Sequence, residues 1–223
     1  MEALDILQIG SKLIVIFLCT PIHEFAHAWA ANKLGDDTPV YQGRLTLNPL
    51  AHLDIIGALS LLVCGFGWGK PVQVNPLRFK EYRKGMMLTA LAGPVSNFIL
   101  AFFCTIIYKV FWAAYVSSLS MALYWVAYIF MVIGSINLGL AAFNLIPVYP
   151  LDGEKIFAYF FGSAKNQNLN RFMSQYGRYI TIFFFIMVFT GVLNRPLGAI
   201  QSFFSWILDK LTFWLDPLLR MIF

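Results

Sequence analysis

The chain has 223 residues, of which 59% are hydrophobic and 12% charged, with 22 phenylalanines and a net charge of +5. A soluble domain is about half apolar and about a quarter charged, so this little charge cannot cover a soluble globule, and the mean hydropathy of +0.70 agrees. A disordered, fibrous or disulfide-rich secreted protein is excluded, and there is little room for an added soluble domain.

In chain order, the N-terminus (MEALDILQ) lacks the positive region of a cleaved signal peptide, so the first apolar run is expected to be retained. That run covers residues 6–32, broken by Lys12 and by a polar motif treated below. Residues 40–47 (VYQGRLTL) and 70–75 (KPVQVN) alternate with period two and end at Asn-Pro, which predicts strands of a small sheet. Between them, 55–68 is apolar but shorter than the roughly 20 residues a span needs, and reads as re-entrant or interfacial. Residues 86–116 and 121–145 predict two clear spans, and 179–193 a shorter one. Residues 164–170 (AKNQNLN) predict a polar loop. Residues 196–223 mix Asp209, Lys210, Asp216 and Arg220 with aromatics, which predicts an amphipathic interfacial helix.

The fold expected is mainly α: a polytopic membrane protein with about four to five transmembrane helices and a small membrane-associated β-sheet on the cytoplasmic side. A single integral-membrane domain covers 1–223. Its core is 6–160, and 161–223 add transmembrane and interfacial helices. Basic residues gather between the first and second spans (Lys33, Arg44, Lys70, Arg78, Lys80, Arg83, Lys84) and after the third (Lys155, Lys165, Arg171, Arg178). The positive-inside rule places both loops in the cytoplasm of a cell-membrane protein. So placed, the basic charge suits anionic lipid and not nucleic acid. Cys19, Cys64 and Cys104 lie in apolar stretches and read as buried free thiols.

The chemistry concentrates in the first span, at Pro21-Ile22-His23-Glu24-Phe25-Ala26-His27. Ionisable residues inside a membrane helix are costly and mark function. His23 and His27 stand at i and i+4, on one helical face, where two imidazoles reach one metal ion. Glu24 follows the first histidine and can take a proton from water at an open metal position. A catalytic zinc needs a third protein ligand. His52, Asp54, Cys19 and Asp152 are the candidates. Cys19 lies one turn from His23 but on the side away from His27, and reads as packing. His52 reads as structural. Asp152 has the better context, because Asn144, Pro147 and Pro150 disrupt the third span's end and broken backbone is tolerated where it lines a cavity. Gly153 allows a tight turn beside it. Along a helix His27 is about 9 Å and His23 about 15 Å from Lys33, so the ligands meet below the cytoplasmic surface.

HEFAH in the first span and NLIPVYPLDG after the third resemble the site-2 protease family of intramembrane zinc metalloproteases. LAGPVSNFIL, with Gly93, Pro94 and Asn97, is similar to that family's second-helix signature. GRLTLNPLAHLDIIG and GWGKPVQVNP are similar to its membrane-associated strand region. The resemblance covers about residues 10–160. It implies a minimal prokaryotic member without a PDZ or CBS domain. It implies that His23, His27 and Asp152 bind one zinc ion per chain and that Glu24 is the general base. Asn144 would assist catalysis, for instance by stabilising the oxyanion, while Asn97 would be structural. The reaction implied is hydrolysis of peptide bonds in transmembrane segments of membrane-protein or peptide substrates within the bilayer. It would serve regulated intramembrane proteolysis or clearance of signal-peptide remnants. The alternatives are a metal-ion transporter or a non-catalytic scaffold using the same His/Asp cluster. A transporter has no evident need for Glu24 beside His23, and Leu13–Leu18 offers it no outward path.

Overall fold

A computed structural model describes residues 9–161 and 167–223, with side chains left aside over 167–174. The N-terminal octapeptide, including the start of the first apolar run, lies outside the described residues, as do Lys165 and the first half of the expected loop 164–170. The second half of that loop opens a helix instead. Among the described residues, three helices are long and apolar enough to cross a membrane, α1 (Ile9–Lys33), α5 (Tyr82–Ser118) and α6 (Met121–Asn144), and a bent pair, Gln175–Phe189 with Asn194–Thr212, makes a fourth if it counts as one span. Between α1 and α5 come three short helices, α2 (Thr38–Tyr41), α3 (Pro49–His52) and α4 (Ile55–Cys64). After α6 come α7 (Asp152–Phe161), α8 (Gln167–Phe189), α9 (Asn194–Thr212) and α10 (Leu215–Ile222).

α1, α5 and α6 form an antiparallel bundle. α5 and α6 are joined by a turn at Leu119, which takes the left-handed conformation. α1 contains one π-helical turn, Val15–Cys19, just before the histidine motif. Such turns insert an extra residue and often sit at functional sites, because they rotate the following side chains about the axis. Lys12, the charge interrupting this helix, donates to the carbonyl of Leu62 at 2.7 Å. That carbonyl is in the last turn of α4, where no intrahelical donor exists. The pairing also fixes depth. α4 starts beside the His52 and Thr20 level and reaches the level of Lys12, then reverses at Gly65 in the left-handed region. A Cβ on Gly57 would collide with the Trp68 carbonyl, and one on Gly67 with the Gly57 carbonyl. Residues 55–68 therefore form a short apolar helix and a return limb packed back against it.

The small sheet is not found. Among the described residues there is no strand. Thr38-Pro39 starts a helical turn, since proline favours the first helical position, and Gly43 then reverses the chain at φ +66°. Residues 70–75 are extended but have no strand beside them. Side chains anchor them instead. Buried Arg44 donates to the carbonyls of Ala51 and Lys70, the Lys70 amide to the His52 carbonyl, and the Asn75 amide to fully buried Asp36 at 2.6 Å. Alternation showed extended backbone in this segment; it could not show a pairing partner.

The C-terminal third also differs from expectation. α9 does not lie as a lone interfacial helix. Gln201 donates to the Ser135 backbone and hydroxyl of α6 at 3.0 Å, Phe204 packs on Phe98 of α5, and Leu208 is buried with Ala101 and Leu138. Lys109 of α5 pairs with Asp216 at 3.0 Å and with Asp209 at 3.9 Å. Asp209, Lys210 and Arg220 are themselves exposed, and Asp216 is partly buried against Lys109. α8 meets α9 at an 82° bend. It rests on the bundle through Phe184 and Phe185 against Phe143 and Phe66, and through a Thr181 hydroxyl bond to the Tyr149 carbonyl. All three cysteines are free, but Cys64 is exposed and only Cys19 and Cys104 are buried.

Candidate metal centre

His23 and His27 lie in α1 and Asp152 begins α7, yet the three side chains meet. His23 Nε2 and His27 Nε2 are 3.0 Å apart, and Asp152 Oδ2 is 3.1 Å from the first and 3.2 Å from the second. All three residues are buried. Two features bring Asp152 to mid-helix ligands. The chain folds back after α6 through Val148 N–H to the Ile146 carbonyl and Leu151 N–H to the Val148 carbonyl. Gly153 then presses on the carbonyls of Leu145 and Ile146, where any Cβ would collide. α5 comes equally close on the other side. A Cβ on Gly93 would stand 2.5 Å from the Cε1 atoms of both histidines, so glycine is required there by the approach of the two helices.

The outer ring nitrogens are held. His27 Nδ1 is 2.7 Å from the Thr89 carbonyl, which can only accept. His23 Nδ1 is 2.5 Å from Asn97 Oδ1, while Asn97 Nδ2 donates to Asn137 Oδ1 at 2.7 Å. Asn137 in turn donates to the Ile133 carbonyl and to Cys19 Sγ. Each Nδ1 therefore carries the proton, and each Nε2 presents a lone pair. Three acceptor atoms then face one another with no donor between them, an arrangement that calls for a cation. In a tetrahedral shell with ligands at about 2.0–2.1 Å, neighbouring ligand atoms stand about 3.3 Å apart, close to the spacings here. Nitrogen and carboxylate donors in this number suit zinc.

Among the described residues, this is the one group of three such side chains able to share a metal. The other candidates have separate tasks. Asp54 caps α4 by accepting from Gly57 N–H at 2.8 Å. His52 donates from Nε2 to the Thr46 carbonyl at 2.8 Å. Cys19 accepts from Asn137.

The centre opens on a cavity of about 640 Å³ whose walls include Glu24, Asn144, Trp68, Val72, Phe143 and Lys155. One Glu24 oxygen accepts from the Val72 amide at 3.0 Å, leaving its other oxygen free. Asn144 lines the cavity with its amide turned back to the Leu140 carbonyl at 3.0 Å. Asn97, expected to be structural, is fully buried and is the hydrogen-bond partner of His23. Sequence reasoning missed Asn137 and the Thr89 carbonyl. Asn137 is a polar residue in an apolar helix, a signal that could have been used; a backbone carbonyl gives none. Removing the support should weaken the centre. Asn97→Ala is expected to lower zinc affinity about 10–100-fold, measured by competition with a chelator of known strength; an unchanged affinity would show that Asn97 does not orient His23.

The sequence profile of Peptidase family M50 matches residues 113–188, which include Asn144 and Asp152. YwhC of Bacillus subtilis (strain 168), named as a candidate zinc metalloprotease, is 43% identical over 147 residues, 65% of this chain and 66% of that protein. Rip2 of Mycolicibacterium smegmatis, named in the same way, is 30% identical over 138 residues, 59% of this chain and 50% of that protein. MJ0611 of Methanocaldococcus jannaschii, again so named, is 30% identical over 161 residues, 69% of this chain and 68% of that protein. The chain thus covers less than two thirds of the length of the first two. No solved structure matches.

Proposed function

Because this chain belongs to peptidase family M50, we propose that it is an intramembrane zinc endopeptidase that hydrolyses peptide bonds in transmembrane segments. The observation that carries the reading is the convergence of two imidazole Nε2 atoms and one carboxylate oxygen within 3.0–3.2 Å, beside a glutamate, among helices apolar enough to span a bilayer. His23, His27 and Asp152 hold the metal. A zinc ion there supplies a Lewis acid that polarises the scissile carbonyl and acidifies water. Glu24 takes the proton of the attacking water and delivers it to the leaving amine. Asn144 needs only a side-chain rotation away from Leu140 to donate to the carbonyl oxygen. The centre lies toward the end of the bundle that carries Lys33 and the basic loops, which the positive-inside rule assigns to the cytoplasm. The partners are transmembrane protein or peptide substrates and the surrounding bilayer.

A helical substrate hides its peptide bonds, so it must unwind locally, and an extended edge can satisfy the freed groups. Of the two segments expected to do this, residues 70–75 are the better seat. Val72 and Val74 line the cavity. Among the described residues nothing bonds to the amides of Gln73 and Val74 or to the carbonyls of Pro71, Val72, Gln73 and Val74. Val74→Pro removes one free amide while keeping an extended backbone. It should reduce cleavage about tenfold, the worth of one lost hydrogen bond, with zinc retained. Undiminished cleavage would exclude this edge as the seat.

The reading as a whole is tested in liposomes with a transmembrane reporter. Cleavage should stop with a strong chelator and return on adding zinc. Cleavage indifferent to chelation would contradict it.

A further inference from the structure

Lys155 is the only lysine or arginine among the residues lining the cavity. It lies three residues after Asp152 in the first turn of α7, and i, i+3 neighbours share a helical face. It is half-buried, and among the described residues it has no carboxylate or carbonyl partner. Each acid on the same wall has a neighbour of its own: Glu24 accepts from the Val72 amide through one oxygen, Asp54 accepts from the Gly57 amide, and Asp152 stands beside both histidines. The neighbouring Arg83 is also committed, to the carbonyls of Ala158 and Tyr159, where it ties the far end of α7 to α5. Asn144, the other donor placed for the reaction, is turned onto its own helix. An unpaired cation on the wall of a largely apolar cavity is costly unless something anionic arrives there.

We propose that Lys155 is a further catalytic residue, whose ammonium contacts the scissile carbonyl oxygen and stabilises the charge that develops on it. The inference rests on the endopeptidase reading. In the step concerned, the water oxygen bonds to the carbonyl carbon and its proton passes to Glu24. The carbonyl π pair moves onto oxygen as an oxyanion facing Lys155, which keeps its protons. On collapse the pair returns, the C–N bond breaks, and the nitrogen takes the proton from Glu24. Preorganised donors at a developing oxyanion contribute about 10²–10³ in kcat.

The test compares Lys155→Met, which keeps the stem, and Lys155→Arg, which keeps the charge, with the full-length wild type in detergent. Zinc content and thermal unfolding come first and should match. Lys155→Met should then lower kcat by about 100-fold with KM within about threefold, and Lys155→Arg should recover at least about tenfold of that. A phosphinate peptide, which mimics the tetrahedral anion, should bind the Met variant more weakly by a similar factor. The uncleaved neutral peptide should bind Glu24→Gln equally well with or without Lys155. A kcat within about threefold of wild type, or a phosphinate affinity unchanged in the Met variant, would overturn the proposal, as would a defect confined to substrates with an acidic side chain near the cut. The phosphinate arm needs no turnover, so it reads on Lys155 even if the wild type cleaves nothing; failure of the wild type to cleave sinks the protease reading instead.

Discussion

Glu24→Gln should abolish proteolysis and leave zinc in place. Glu24 follows a proposed ligand on the same helix and lines the same cavity. One of its oxygens is held by the Val72 amide at 3.0 Å. Glutamine has the same shape, and its carbonyl oxygen can still accept from Val72, so segment 70–75 stays seated. The amide cannot take a proton from water. General-base catalysis contributes about 10²–10⁴, so initial rates on a transmembrane reporter should fall at least about 100-fold at equal metal content. The substitution also separates the classes of function, because a metal carrier has no need of this base. A variant cleaving within about tenfold of wild type would remove Glu24 from the mechanism.

The second large effect is on the metal. Asp152→Ala removes the only carboxylate of the cluster. Its Oδ2 stands 3.1 Å from His23 Nε2 and 3.2 Å from His27 Nε2. Supporting residues around a metal are worth about 10–100-fold in affinity, and a direct ligand should exceed that. Zinc affinity is therefore expected to fall by more than about 100-fold. The fold should survive, since the substitution strands no buried charge and α7 remains tied to α5 by Arg83. Asp152→Asn serves as the isosteric control. Full zinc retention would place the third ligand elsewhere. The structure gives little room for that, as His52 and Asp54 are each committed to a backbone group.

Much of this was legible in the sequence because it is written locally. A run of apolar residues longer than 20 has few soluble alternatives, so α1, α5 and α6 could be read directly. HEFAH carries its own geometry, because the i, i+4 spacing fixes one face whatever surrounds it. The pairing with Asp152, 129 positions after His23, was legible only through the broken helix end and the depth argument. What failed was pairing and partnership. Alternation at 40–47 and 70–75 described residues that can be extended, but Pro39 and Gly43 turned the first into a helical turn and reversal. The second was anchored by Arg44 and Asp36 and not by a neighbouring strand. In residues 196–223, Asp209, Lys210, Asp216 and Arg220 gave the look of an interfacial stripe, but Asp209 and Asp216 pair with Lys109 of α5. Polar residues in a membrane chain can satisfy one another as well as they satisfy water, and periodicity does not distinguish the two. Asn97 was read as structural, but its particular partner, His23, could not be read because the two are 74 positions apart.

The claim on which the rest depends is that His23, His27 and Asp152 form a zinc centre. Metal analysis of the purified wild type, joined to zinc-edge X-ray absorption, tests it most directly. The account predicts about one zinc per chain, surrounded by nitrogen and oxygen alone at about 2.0–2.1 Å, with the scattering signature of imidazole. A well-folded chain that holds no zinc, or a sulfur neighbour at about 2.3 Å, would contradict it, the latter by bringing a cysteine into a site where the structure places none.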